Sequence, residues 1–107
     1  MKLLVPVDGS KPSLNAVKYA IQFAKNIRTQ VSIVVINVHD DTPLYQVGSY
    51  LGKDEIENYL INTSEKELKA AQKLLAKESI KHSFIIEIGH VAETILTIAN
   101  KEKANLI

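Results

Sequence analysis

Short apolar runs alternate along this chain with longer segments in which apolar residues recur every three or four positions. The runs predict strands and the longer segments predict amphipathic helices, because side chains alternate across a strand but return to one helix face every turn. This alternation predicts an α/β fold with a parallel sheet, right-handed crossovers and helices on both faces. The predicted strands cover residues 2–7, 31–38, 83–88 and 104–107, and the predicted helices cover about 14–27, 53–79 and 91–101.

Each predicted helix carries one apolar face. In the second helix, Ser64 is the only polar residue within that face. The second strand, at 31–38, is nearly continuous in β-branched residues, which is typical of a parallel strand buried on both sides. The helix residues predicted to face the core are Leu14, Val17, Ile21 and Ala24, then Ile56, Leu60, Leu68, Ala71 and Leu75, then Val91, Ile95, Ile98 and Ala99.

Turn-forming residues end the predicted strands. Asp8-Gly9-Ser10 follows the first strand, where Ser10 can cap a helix and Pro12 is tolerated in the first turn. His39-Asp40-Asp41 follows the second strand and raises the hypothesis of a metal site. Adjacent residues at a strand end point in different directions, so we interpret this segment as a solvated loop and predict no metal site.

The segment from Leu44 to Leu51 places five large apolar residues in a predicted loop. That much apolar surface is expected to be covered. The second helix, a partner chain, or a ligand beneath the segment as a lid would each cover it, and the sequence leaves these alternatives open.

Composition narrows the class of protein. The chain has 107 residues, 46% of them hydrophobic, a formal net charge of +1 and no cysteine, so disulfides and thiolate chemistry are excluded. The balanced charge predicts neither a nucleic-acid partner nor an anionic membrane partner. No apolar stretch approaches the roughly 18 residues of a membrane span. We expect a cytoplasmic, single-domain protein.

Several segments together resemble the universal stress protein family, from residue 2 to residue 107. They are LLVPVDGS at the start, VVINVHD at the second strand, SFIIEIGHVAETI at the third strand and helix, and KANLI at the end. The resemblance implies a three-layer parallel sheet of the adenine-nucleotide α-hydrolase-like type, in strand order 3-2-1-4-5. It also implies, in one branch of the family, ATP with or without Mg²⁺ at the carboxyl ends of the strands.

The resemblance assigns ligand contacts to five residues. Asp8 would contact the ribose or adenine, Pro6 and Val7 would flank the adenine with backbone groups, Val38 would pack on it, and Gly89 would allow close approach. Each residue also has a structural interpretation: a turn carboxylate, a strand-end bulge at Pro6-Val7, a core valine and a turn glycine. We find no arrangement of side chains that would form a catalytic nucleophile. Whether the protein is an enzyme stays open, and slow ATP hydrolysis by the complete domain is the most that we expect.

One departure from the family pattern bears on ligand binding. The family's phosphate-binding motif, Gly-x2-Gly-x9-Gly-(Ser/Thr), follows the fourth strand, and this sequence ends within that strand. We therefore expect a single domain, 1–107, that is incomplete at its C-terminus, with a partial fourth strand, no fifth strand and weak or no ATP binding. An exposed edge at the first or fourth strand predicts a homo-oligomer. The alternative function is a dimeric stress or interaction protein without a nucleotide.

Overall fold

The computed structural model describes residues 1–42 and 52–107, so the predicted loop at 44–51 lies outside the described residues. Strands and helices alternate in the predicted order. None of the helices described within those ranges has the length and apolarity that a bilayer crossing requires. The elements are β1 (Lys2–Pro6), α1 (Lys11–Asn26), β2 (Ser32–His39), α2 (Lys53–Ala76), β3 (His82–Ile88), α3 (Val91–Glu102) and β4 (Asn105–Leu106).

The four strands form one parallel sheet in the order β3-β2-β1-β4, which confirms the predicted fold class and strand order. β1 pairs with β2 along its whole length, and its other side pairs with β4 through Leu3 and Leu4. At those two residues β1 is an interior strand, so the prediction of an exposed first-strand edge is wrong there. Homo-oligomerisation stays a prediction.

The side-chain alternation of β1 and β2 divides the core into two layers. Odd-numbered residues such as Leu3, Val5 and Ile33 pack with α1 and α2, and even-numbered residues such as Leu4 and Val34 pack with α3. Both strands are therefore covered on both faces, which explains why the apolar run of β2 is continuous rather than alternating. The result is the predicted arrangement of a helix layer, a sheet and a second helix layer.

The helix ends differ from the predicted bounds by a few residues. α1 begins at Lys11, three residues before the apolar pattern starts, because the Ser10 side chain accepts a hydrogen bond from the Ser13 N–H at 3.3 Å. Pro12 lies in the first turn, where its missing N–H leaves no bond unmade. α2 ends at Ala76 instead of Ser79. Apolar periodicity locates a helix, but the capping contacts determine its ends.

Candidate functional site

The predicted site residues lie at one edge of the sheet, where the carboxyl ends of the parallel strands meet. Pro6 is the last residue of β1 and pairs with Ile36, two residues before Val38 on β2. Gly89 directly follows β3, and its N–H donates to the His39 carbonyl oxygen at 2.8 Å. The structure thus brings Pro6, Val7, Asp8 and Val38 to neighbouring strands. Gly89 lies one strand further away, beyond β2.

The backbone polar groups of β1 and of Val7 after it point alternately to the two neighbouring strands. The Val7 N–H donates to the Ile36 carbonyl oxygen at 2.8 Å, so the polar groups of Val7 face β2. Because successive residues of a strand point their polar groups to opposite sides, the Pro6 carbonyl faces the β4 side. The Leu4 carbonyl confirms this alternation, since it accepts from the Ile107 N–H at 3.0 Å. Of the two residues predicted to present backbone groups to a ligand, Pro6 presents its carbonyl where the strand order reverses.

Asp8 closes the turn between β1 and α1 and is exposed. One carboxylate oxygen, Oδ1, accepts the Ser10 N–H at 2.9 Å, and the Asp8 N–H donates to the Ser13 hydroxyl at 3.4 Å. Hydrogen bonding to the side chain and backbone of Ser10 lowers the pKa of Asp8 below its ordinary value. Asp8 is therefore an anion at neutral pH, with its turn role carried by one carboxylate oxygen.

Val38 and Gly89 have contacts that account for their residue types. Val38 is half-buried and packs against the core layer on the α3 side. A side chain at Gly89 would place Cβ 2.7 Å from the Thr94 hydroxyl oxygen, so the first turn of α3 favours glycine there. Contact of either residue with a ligand stays a prediction.

Three polar side chains that the sequence analysis did not assign to the site meet directly beneath this edge. Asn37 is 1% exposed, and its Nδ2 donates to the Val7 carbonyl oxygen at 2.8 Å and to Glu67 Oε1 at 3.2 Å. The same Glu67 oxygen lies 2.5 Å from His39 Nε2. We call Asn37, His39 and Glu67 the polar cluster. It joins β2 to α2 and, through Val7, to the end of β1.

The sequence does carry a signal for this cluster. Asn37 is a polar residue inside a β-branched run, and Glu67 comes three residues after Ser64 and four before Ala71, both of which are buried on α2. That spacing puts Glu67 at the margin of the inward face, so Ser64 is not the only polar residue there. Ser64 itself is buried, and its hydroxyl has no partner among the described residues.

Gly9 packs on Glu67. Its φ of +85° lies in the left-handed region, which glycine adopts without a steric penalty. A Cβ built on Gly9 would lie 3.1 Å from Glu67 Cγ and 3.2 Å from Glu67 Cβ. Backbone conformation and close packing therefore both favour glycine at this position.

The segment predicted as a solvated loop, His39 to Asp41, makes side-chain contacts at His39 and Asp40. His39 contacts Glu67, and Asp40 Oδ2 lies 3.3 Å from His90 Nδ1 at the start of α3. Hydrogen bonding to Thr42, with a smaller effect of His90, lowers the pKa of Asp40. Across residues 1–42 and 52–107, no three metal-ligating side chains come together as a potential metal site.

A small cavity lies at the opposite, amino-terminal end of the sheet. It has a volume of about 120 Å³ and is lined by residues that include Lys2, Ser32, Lys81 and Glu102. Lys2 and Glu102 form an ion pair at its margin, with Nζ and Oε1 3.5 Å apart. The reversal of strand order predicts a ligand at the carboxyl edge and not in this cavity. The residues that line the cavity can therefore serve as a control when the position of a ligand is measured.

The sequence model of the universal stress protein family matches residues 1–107. The chain belongs to the universal stress protein family. It is 34% identical over 108 residues to the universal stress protein MJ0531 of Methanocaldococcus jannaschii, and the match covers 99% of this chain. The chain spans 61% of the length of that relative. Membership in the family supports a role in the stress response.

Solved structures share the fold of this universal stress protein chain. The hypothetical protein MJ0577 superposes with a TM-score of 0.81 at 24% identity, covering 99% of this chain and 72% of its own. A universal stress protein solved in complex with cAMP gives a TM-score of 0.58 at 20% identity, covering 99% of this chain and 69% of its own. At these identities the superpositions support the fold and leave the ligand of this chain to be argued from its own residues.

Proposed function

We propose that this chain binds ATP, but only weakly, as a regulatory ligand of a stress-response protein, with the nucleoside at the carboxyl ends of β1 and β2. One observation carries the proposal: the strand order reverses at β1, and Pro6 and Asp8 lie at that reversal. Ligands of open α/β sheets bind in the crevice at such a reversal. The cAMP complex of another universal stress protein supports an adenine nucleotide as the ligand class.

Each residue at this edge has a role in the proposal. The Pro6 carbonyl accepts a hydrogen bond from the adenine amino group, because it faces the β4 side of β1. The Asp8 carboxylate accepts a hydrogen bond from a ribose hydroxyl. Because Oδ1 already accepts the Ser10 N–H, we assign the ribose contact to Oδ2. Val38, on the neighbouring strand, supplies apolar contact to the base. These residues bind and orient the nucleoside, and the proposal assigns them no chemical step.

The test is calorimetric titration of the protein and of Asp8→Asn with ATP and Mg²⁺. Asparagine keeps an oxygen for the Ser10 N–H, so the turn is retained while the charge at the ribose is lost. We expect Asp8→Asn to weaken ATP binding about tenfold, because a charge-assisted hydrogen bond contributes about 1.5 kcal/mol. Asp54→Asn, an exposed change of the same kind at the start of α2, is the control and should leave affinity unchanged.

Two results would contradict the proposal. One is the absence of heat from the unmodified protein at millimolar ATP, which would favour the non-nucleotide interaction protein instead. The other is equal affinity in the protein and in Asp8→Asn, which would remove Asp8 from the site. GTP in a parallel titration tests the Pro6 contact, because guanine carries a carbonyl oxygen where adenine carries the amino group.

A further inference from the structure

Glu67 lies where three elements meet. Its carboxylate oxygen Oε1 contacts Asn37 Nδ2 on β2 and His39 Nε2 at the end of β2, while its side-chain carbons lie under Gly9. Through these contacts Glu67 connects α2 to the turn between β1 and α1. We refer to residues 7–10 as the β1–α1 turn.

Asn37 links Glu67 to the backbone of this turn by hydrogen bonds. Its amide nitrogen serves two acceptors, the Val7 carbonyl oxygen and Glu67 Oε1. Its own oxygen, Oδ1, is buried without a partner among the described residues. The orientation of the amide therefore depends on its two donor contacts. Losing Glu67 would remove one of the two contacts that hold the amide against Val7.

Asp8 is fixed on both sides by these contacts. On its amino side, Asn37 holds the Val7 carbonyl oxygen, and on its carboxyl side, Gly9 is seated on Glu67 in the left-handed conformation. The direction of the Asp8 side chain follows from the backbone of its two neighbours. The hydrogen bonds of the buried Asn37 amide and the carbon contact at Gly9 both act at short range. A small displacement of Glu67 would therefore displace the turn.

We propose that Glu67 is a positioning residue, which fixes the β1–α1 turn so that Asp8 is presented to the nucleoside. The inference rests on the proposed function for its ligand. The positioning itself is a property of the free protein and can be measured without any nucleotide.

Three variants separate positioning from general stability. Glu67→Ala removes the carboxylate and most of the carbon contact, whereas Glu67→Gln keeps an acceptor for Asn37 and the carbons under Gly9. Glu65→Ala is the matched control, because Glu65 is exposed on the same helix. The readout is amide hydrogen exchange at Ser10, whose N–H bonds Asp8, compared with Val35 in the middle of β2.

In Glu67→Ala we expect exchange at Ser10 to accelerate about tenfold while exchange at Val35 changes less than about twofold, as for a local opening. Glu67→Gln should restore protection at Ser10 to within about threefold of the parent, and Glu65→Ala should change neither amide. Equal acceleration at Ser10 and Val35 would mean a purely structural role and would overturn the inference. Unchanged exchange at Ser10 would overturn it as well.

Calorimetry with ATP and Mg²⁺ on the same variants tests the link to the ligand. We expect Glu67→Ala to weaken ATP binding about fivefold and Glu67→Gln to bind nearly as the parent does, since one net hydrogen bond at the turn is affected. If the turn loosens in Glu67→Ala but ATP affinity is unchanged, the inference is overturned. If the parent binds no ATP, the proposed function fails, and hydrogen exchange still decides whether Glu67 positions the turn.

Discussion

Asn37→Asp should lower the free energy of unfolding by about 3 kcal/mol at pH 7. The substitution changes almost no volume but replaces the amide donor with an acceptor. The new oxygen would face the Val7 carbonyl oxygen, which now accepts from Asn37 at 2.8 Å, and the Glu67 carboxylate. Only the protonated carboxyl group can donate to either of them. Burial and the nearby carboxylate both favour that protonated form.

The loss of stability in Asn37→Asp should depend on pH in a defined direction. The folded state raises the pKa of the introduced carboxyl above its unfolded value of about 3.9, so the folded state binds the extra proton. The destabilisation is therefore small below about pH 4 and grows as pH rises toward the folded pKa. Keeping the carboxyl protonated at pH 7 costs at most about 4 kcal/mol, which sets the upper limit.

Urea unfolding of the parent and of Asn37→Asp at pH 7 and near pH 4 measures this effect. Asn62→Asp is the matched control, because it makes the same chemical change on the exposed side of α2. The control should differ from the parent by less than about 0.5 kcal/mol at either pH. A loss in Asn37→Asp that is the same at both pH values would contradict the contacts assigned to Asn37.

Leu4→Ala should lower the free energy of unfolding by about 3 kcal/mol. Leu4 is fully buried in the centre of β1 and packs with Val34, Ile36 and Ile98 on the α3 side of the sheet. This core layer has few fully buried members, and Leu4 touches both the sheet and the helix that covers it. Its truncation leaves a cavity that the neighbouring strands, held by their hydrogen bonds, cannot close.

Chemical denaturation of Leu4→Ala beside Leu96→Ala checks the assignment of this layer. Leu96 lies on α3 but is 58% exposed, so its truncation removes the same atoms from a surface position. We expect Leu96→Ala to cost less than about 0.5 kcal/mol. Similar losses in the two variants would show that Leu4 is not buried between β1 and α3.

The sequence predicted the sheet well because the signals for it are local. The β-branched run at 31–38 needs no knowledge of its neighbours to indicate a doubly covered strand, and β2 covers Ser32–His39. Helix ends were predicted less well where capping determined them, as at Ser10. The family resemblance supplied the strand order, which periodicity alone does not determine.

The polar cluster could not be predicted from the sequence with the same ease. Asn37 and Glu67 are 30 residues apart, and their contact depends on the register of β2 and on the rotation of α2 about its axis. A one-residue change of register would turn Asn37 to the α3 side of the sheet. The sequence shows both residues as exceptions to an apolar pattern, but only the structure shows that the exceptions meet.

The assignment of Asp8 to a turn or to a ligand site was left open by the sequence, and the structure shows that the two are compatible. Asp8 Oδ1 accepts the Ser10 N–H, which satisfies the turn, and the carboxylate has a second oxygen. For Gly89, the close approach of the Thr94 hydroxyl gives a local reason for glycine that requires no ligand. The sequence could not separate the local packing reason from the approach of a ligand, because both favour glycine at this position.

Nucleotide binding at the carboxyl edge is tested most directly by following the backbone amide signals of the protein by NMR while ATP and Mg²⁺ are added. We expect the largest shifts at Val7 to Ser10 and at Val38, at the carboxyl edge of β1 and β2. Ser32 and Lys81, which line the cavity at the opposite end of the sheet, should not shift. Largest shifts at Ser32 and Lys81, or no saturable shift at Val7 to Ser10, would contradict nucleotide binding at the carboxyl edge.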